Sequence, residues 1–332
     1  MTLGAARRLG VLFVRMLRYR VAVMIWLFML LGAAFHGGLG GFRWAYVWAA
    51  AALAGSFVAA TTVNDIADEA IDQVNHPVDR GRPLVSGEAS VRDLRFLHLV
   101  GVAVAVVAGT VLGPVGLALA VLSVMIGRLY SLPPVRLSYR TYLAPTALGV
   151  AYVVIPYGFG LVAAGISLRP SDPLFAGSLY ALFLARINLK DFRDREGDAR
   201  YGRPTLLLRF GKRTTCLVSG GALLAGNALL LAAVRPVPLV AVLIELFVGA
   251  IGWQLRALWS ADGTRAEQVA IGIGARMGNG LLIAVLGCLV LRAQGATGAE
   301  QSVFALALTA LFGIGFWSLA SRPEEVLIGY KG

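Results

Sequence analysis

Six of the ten aspartates in this chain stand in two short stretches, NDIADEAID from Asn64 to Asp72 and KDFRDREGD from Lys190 to Asp198. Asp65, Asp68 and Asp72 are spaced 0, 3, 7, and so are Asp191, Asp194 and Asp198. That spacing predicts carboxylates aligned on one face of an α-helix. Gathered carboxylates repel and raise one another's pKa unless cations hold them, so two such clusters point to oxygen-ligated Mg²⁺.

Each cluster is followed by fixed positive charge. After the first comes QVNHPVDRGRPLVSGEAS, in which Pro77, Gly81, Pro83 and Gly87 break helix and Arg80 and Arg82 carry charge. After the second comes ARYGRPTLLLRFGKR, with Arg200, Arg203, Arg209, Lys212 and Arg213. Carboxylates for bridging cations, interleaved with guanidinium and ammonium donors, are what a diphosphate requires. Lys190, Arg82 and Arg80 are the candidate diphosphate-binding cations. Arg18 and Arg20, at the mouth of the first apolar run, read instead as snorkelling anchors.

The rest of the chain must hold these groups in a lipid environment. Of 332 residues, 58% are hydrophobic and only 14% charged, and the mean hydropathy is +0.75, a composition no ordinary soluble domain carries. About ten apolar runs are long enough to span a bilayer: roughly 21–40, 44–63, 94–112, 114–130, 142–165, 173–189, 214–233, 237–257, 270–292 and 302–320. Gly113-Pro114 and Pro236 to Pro238 mark the tightest connections. Runs this uniform are too long for barrel strands. The expected fold is therefore all-α, a polytopic transmembrane bundle of nine to ten spans forming a single domain over residues 1–332.

A net charge of +12 resembles a nucleic-acid footprint until its distribution is read. Of the 30 Lys and Arg, all but Arg43, Arg169, Arg235 and Arg292 fall at the N-terminus, in the connections after spans two, four, six and eight, or in the C-terminal tail. This obeys the positive-inside rule, places both termini and both aspartate clusters in the cytoplasm, and needs no nucleic acid. No cleaved leader is expected, because removing the first span would reverse that charge logic. Three lysines against 27 arginines point to a GC-rich bacterial genome, and hence to the cell membrane. Both clusters follow an even-numbered span with four spans between them, which predicts a parallel duplication and disfavours an inverted transporter repeat. Cys216 and Cys288 read as inert buried thiols, and His36, His76 and His98 form no ligand spacing. Glu245 is the one carboxylate deep in a predicted span, and Tyr152, Tyr157, Phe159, Tyr180 and Phe183 are candidate cavity rings.

These motifs resemble the UbiA-type intramembrane prenyltransferases. That family's first motif, NDxxDxxxD, is met by Asn64, Asp65, Asp68 and Asp72; its second, DxxDxxxD, by Asp191, Asp194 and Asp198. RPLVSG at Arg82 to Gly87 and YGRPTL at Tyr201 to Leu206 are similar to its flanking segments. The family often places a Tyr with a Lys four residues later after the fourth span. Here Tyr130 is present, Pro134 stands where the Lys would be, and Arg136 is the nearest cation. The YSLPPVRL form is more similar to chlorophyll-synthase-like and homogentisate-type members than to 4-hydroxybenzoate enzymes.

The resemblance implies two motifs facing each other across a cytoplasm-side cavity. Asn64 and the six aspartates would hold Mg²⁺, Lys190, Arg82, Arg80 and Arg136 would bind a prenyl diphosphate, and the isoprenoid tail would lie among the helices. Asp65, Asp68, Asp191, Asp194 and Tyr130 are then the expected catalytic residues. The reaction implied is transfer of the isoprenoid to an aromatic or lipid-soluble acceptor through an allylic carbocation, with release of diphosphate. A cyclase of the same superfamily, which needs no acceptor, is the nearest alternative. A secondary transporter or divalent-cation channel is disfavoured, because the carboxylates sit at span ends rather than mid-bilayer.

Overall fold

The computed structural model describes residues 3–77, 79 and 81–322, so Arg80, an expected diphosphate ligand, lies outside the described residues. Every apolar run is helical. The chain passes through α1 (Leu3–Met16), α2 (Tyr19–Phe35), α3 (Trp44–Ala67), the short α4 (Glu69–Asn75), α5 (Val91–Val111), α6 (Gly113–Ser131), α7 (Leu143–Gly149) and α8 (Ile155–Ala164). The second half continues with α9 (Asp172–Ile187), the short α10 (Arg195–Arg200), α11 (Leu206–Val234), α12 (Pro238–Ser260), α13 (Thr264–Ala293) and α14 (Gly298–Ser321).

Among the described residues eight helices are long and apolar enough to cross a membrane, or nine if the bent pair α1 and α2 is one span. The sixth expected run, 173–189, forms a helix of only 16 residues. It stops at Ile187 because Asn188–Phe192 tighten into a 3₁₀ turn that begins the second aspartate motif. The α1–α2 bend is 64°, and Arg18 at the joint has φ +43. α1 lays Leu12 and Met16 against Val58, Leu94 and Leu97. α2 packs along α8 and α13 and buries Phe28 and Leu31 in the main core, with the Phe28 ring edge-on to Phe183 of α9.

The turn chemistry is local. Gly113, with φ +87, lets α5 reverse into α6 with almost no loop, and Pro114 starts the next helix where its missing N–H costs nothing. Ser90 and Asp93 cap α5 reciprocally, and Thr205 caps α11. Pro156 cannot donate to the carbonyl four residues earlier, and Val150–Val154 open into a π-helical turn between α7 and α8.

The two halves are built alike. α3, which carries the first motif, packs along α5, and α9, which leads to the second, packs along α11. In each pair a glycine makes the crossing close. A Cβ on Gly101 of α5 would sit 2.7 Å from the Gly55 carbonyl of α3, and one on Gly226 of α11 would sit 2.8 Å from the Leu182 backbone nitrogen of α9. Gly101→Leu is accordingly expected to push α3 off α5 and lower the yield and thermal midpoint of purified protein sharply, while Gly221→Leu, where a Cβ meets nothing within 4 Å, leaves both near wild type. α14 packs chiefly on α12 and α13, outside the duplicated frame.

Candidate active site

Neither motif is one uninterrupted helical face, which corrects the reading from spacing. The helix breaks at the middle aspartate in both. Asp68 (φ −108, ψ 12) separates α3 from α4, and Asp194 (φ −96, ψ 7) separates the 3₁₀ turn from α10. Each break redirects the chain, so the three carboxylates of a motif no longer point the same way. Asp68, Asp72 and Asp194 line the head of a cavity of about 380 Å³, with Asn64, Arg82, Lys190 and Arg203. Asp191 faces a small side pocket shared with Tyr130, Thr141 and Arg203. Asp65 and Asp198 are buried behind the lining, at 2% and 1% exposure.

Arginines hold the carboxylates apart and tie the two motifs together. Arg203 Nη2 donates to Asp68 Oδ2 at 2.6 Å, and its Nη1 lies 3.3 Å from Asp198 Oδ1, so one guanidinium joins both clusters. His76 Nε2 lies 2.9 Å from Asp194 Oδ1, and Gly197 N donates to Asn75 Oδ1 at 2.6 Å. Within the first motif, Arg82 pairs with Asp72 and lies 3.5 Å from Asp65, Arg18 Nη2 donates to Asp65 at 2.5 Å, and Asn64 Nδ2 donates to Asp68 at 2.8 Å. Arg136 reaches Asp68 Oδ1 at 3.8 Å while its guanidinium stacks 3.9 Å from the Tyr139 ring centre. Lys190 Nζ donates to Tyr130 Oη at 3.1 Å, bringing the two expected residues together from distant helices.

Three of these residues were misread or missed from sequence. Arg18 is no lipid anchor: the bend at its own backbone turns it inward onto Asp65. His76 lacks ligand spacing but docks on the opposite motif. Arg203 was one of five cations in a run, and only its Gly-Arg-Pro setting, shared with Arg82, marked it.

Burial sets the protonation of the site. It pushes Asp72 up to about 7 against the pull of Arg82, and Asp198 up to about 7 against Arg203. Asp191 rises to about 6 for the same reason, with Lys190 opposing. Asp194 goes the other way: burial is outweighed by the His76 hydrogen bond and by Arg193, which hold its carboxyl well below the usual range.

The donor set fits a hard cation. Asp65 Oδ2, Asp68 Oδ1 and Asp198 Oδ1 are buried oxygens without a hydrogen-bond donor, each with lone pairs to give. Among the described residues no three carboxylates or imidazoles converge closely enough to hold a metal as they stand, because guanidinium groups fill the space between them.

Below the charged head the cavity is apolar and ring-lined. Phe28, Phe183, Tyr152 and Phe57 form a chain of edge-to-face pairs across the bundle, with centroids 6.3, 5.9 and 5.8 Å apart. Of the five candidate rings, Tyr152 and Phe183 line this space. Tyr157 instead donates to Asp172 at the opposite end of the bundle, Phe159 is packed in the core, and Tyr180 lies against Gly149. Glu245 accepts from Asn227 at 2.7 Å, outside the cavity lining.

Comparison with known proteins gives the same frame. The sequence profile of the UbiA prenyltransferase family matches residues 23–280. The chain is 31% identical over 172 residues to the chloroplastic chlorophyll synthase of Oryza sativa subsp. japonica, covering 49% of this chain and 44% of that one. It is 32% identical over 195 residues to the digeranylgeranylglyceryl phosphate synthase of Methanopyrus kandleri, covering 58% and 63%. The matches thus span about half the length of the curated relatives. The solved structure of a UbiA homolog from Archaeoglobus fulgidus bound to GPP and Mg²⁺ superposes with a TM-score of 0.63 at 17% identity, over 84% of this chain and 99% of that one, a likeness of fold.

Proposed function

Because the chain belongs to the UbiA prenyltransferase family, we propose that it transfers an isoprenoid chain from a prenyl diphosphate to an aromatic or lipid-soluble acceptor, as a single membrane domain. One observation carries this reading. A cavity whose head is lined by Asp68, Asp72 and Asp194 with Lys190 and Arg203 continues into an apolar space walled by four aromatic rings, the two chemistries of a prenyl diphosphate in the right order. Orientation follows from charge: Arg43, Arg169, Arg235 and Arg292 lie at the end of the bundle away from the motifs, so the motif end faces the cytoplasm.

Asn64 and the aspartates of both motifs would hold Mg²⁺, which supplies charge neutralisation for the diphosphate oxygens as the carbon–oxygen bond breaks. The chain's own groups do the remainder. Lys190, kept charged because Tyr130 and Asp191 outweigh its burial, and the guanidinium groups of Arg82, Arg203 and Arg136 receive the departing diphosphate. Tyr130, anchored on Lys190, lines the same cavity. The faces of Tyr152 and Phe183 favour positive charge on the allylic carbon and keep water from it. An acceptor carbon or oxygen then captures that carbon, and the proton it loses goes to the departing diphosphate.

The test is diphosphate release by purified protein given Mg²⁺ and geranylgeranyl diphosphate, with and without phenolic and lipid acceptors. Release that requires one acceptor, with a prenylated product, is the expected result. Release with a hydrocarbon product and no acceptor would establish the cyclase instead.

A further inference from the structure

The aromatic rings wall only part of the cavity. Among the described residues, the lining that comes from α11, α12 and α13 carries no ring and a single polar side chain, Gln254 of α12. Gln254 is 7% exposed, and its carboxamide makes no hydrogen bond among the described residues. Beside it α13 is almost bare. Ala270, Gly274 and Gly278 recur every fourth residue on one face of that helix, and all three line the cavity. A Cβ on Gly274 would sit 3.4 Å from the Gln254 Cβ, so the glutamine stem lies against this strip, and a Cβ on Gly278 would meet nothing within 4 Å. The connection from α12 to α13 is at the motif end of the bundle, where Lys212 donates to the Ala261 carbonyl and Arg195 to Glu267. Gln254 precedes the end of α12 by about the same distance as Ala270 follows the start of α13, so both stand ~9 Å into the bundle from the motif end.

A buried carboxamide without a partner forfeits the hydration of two donors and an acceptor oxygen. An isoprenoid tail offers it nothing to bond, and the diphosphate is already met at the cavity head by Lys190, Arg82 and Arg203. What remains to be held there is the second substrate. A carboxamide donates and accepts in one plane, which suits a hydroxyl or carbonyl oxygen carried on a ring. The strip adds a shape. With no side chain at Gly274 and Gly278, a flat molecule can lie against the α13 backbone over ~12 Å from Ala270 to Gly278. A flexible glyceryl chain threads between side chains and gains little from a bare helix face.

We propose that Gln254 and the Ala270, Gly274 and Gly278 face of α13 form the acceptor subsite and select a planar ring bearing a hydroxyl or carbonyl oxygen, an inference that rests on the prenyl-transfer reading. The ring lies flat on α13 with its oxygen at Gln254, beneath the cavity head where the allylic carbon leaves its diphosphate. The same pairing sorts acceptors: one with no oxygen to offer leaves Gln254 buried and unpaired, and one too bulky to lie flat loses the strip.

The experiment uses the full chain in lipid nanodiscs with Mg²⁺ and geranylgeranyl diphosphate, and three acceptors: hydroquinone, 1,4-dihydroxynaphthalene and a glyceryl-ether phosphate. Wild type should prenylate a ring acceptor with a KM at least tenfold below that for the glyceryl-ether phosphate. Gln254→Leu should raise the ring acceptor's KM at least tenfold and Gln254→Asn less, with the KM for geranylgeranyl diphosphate and the thermal midpoint unchanged. Gly278→Leu, whose side chain enters the open space in front of α13, should raise the KM of the two-ring acceptor more than that of the one-ring acceptor. If Gln254→Leu lowers the midpoint, Gln254→Asn and Gly278→Leu decide. A lower KM for the glyceryl-ether phosphate, or a ring-acceptor KM that neither position moves, overturns the subsite while leaving prenyl transfer standing. A rise in the KM for geranylgeranyl diphosphate instead assigns the strip to the isoprenoid tail and overturns it likewise. Consumption of the diphosphate with no acceptor in wild type, or use of none of the three, overturns the transfer reading, and the subsite with it.

Discussion

Asp68→Asn and Asp194→Asn are each expected to cut turnover by on the order of 10³-fold or more, with the protein still folded. These two positions are chosen over their neighbours because they are the joints at which both motifs break, and both face the cavity head. Asparagine keeps the shape and an acceptor oxygen, so Arg203 retains a partner at position 68 and His76 one at position 194. On the proposed function, what is lost is a negative charge where cations would be held against a diphosphate, an interaction that strengthens as the leaving group gains charge. The measurement is steady-state turnover at saturating Mg²⁺ alongside a thermal unfolding curve. Turnover within tenfold of wild type in either variant would remove these aspartates from the chemistry. A collapse of the thermal midpoint would make them structural instead.

Arg203→Gln is expected to lower stability by roughly 3–5 kcal/mol at alkaline pH and to abolish activity, a larger structural effect than any other single cation of the site should give. Arg203 reaches a carboxylate in each motif, it is only 11% exposed, and Tyr139 supports it from beneath with its ring centre 5.4 Å away. Without it Asp68 and Asp198 are buried charges with a partner removed.

The penalty should depend on pH with a definite sign. Burial already lifts Asp198 to about 7, above its ordinary value, and Arg203 is the group that pulls it down. A carboxyl whose folded pKa is raised contributes most favourably when protonated, and that contribution is lost as pH rises through the folded value. At pH 6 the variant's Asp198 therefore takes a proton and the gap to wild type narrows; at pH 8 or above it widens. Thermal midpoints of wild type and variant at those pH values check it, and a gap independent of pH would mean that Arg203 acts by packing rather than by charge.

How much of this was legible in the residues follows from what kind of information each feature needs. The membrane bundle was, because burial of backbone polar groups in lipid leaves helices as the form for long apolar runs, and Gly113-Pro114 and Pro238 end them locally. Which residues gather was also legible: Asp68, Asp72, Asp194, Lys190 and Tyr130 all line one cavity. The facing of the carboxylates was not. Spacing of 0, 3, 7 assumes an unbroken helix, and a break at one residue rotates everything beyond it. Nothing within nine residues announces that Asp68 and Asp194 will take φ near −100 with ψ near 10.

By itself the sequence determined the class of fold, the two halves, the sign of charge at one end of the bundle and the carboxylate and guanidinium content of two motifs. Those are properties of composition, periodicity and short-range spacing, which a chain carries before it folds. Only the tertiary structure decided that Arg203 and His76 lock one motif to the other, that Arg18 turns inward, that Asp65 and Asp198 stand behind the cavity lining, and that Arg186 of α9 meets Asn279 of α13. Each of those depends on residues tens to more than a hundred positions apart, brought together by the close crossings of α3 on α5 and α9 on α11. Side-chain charge is local information, but its partner is set by packing.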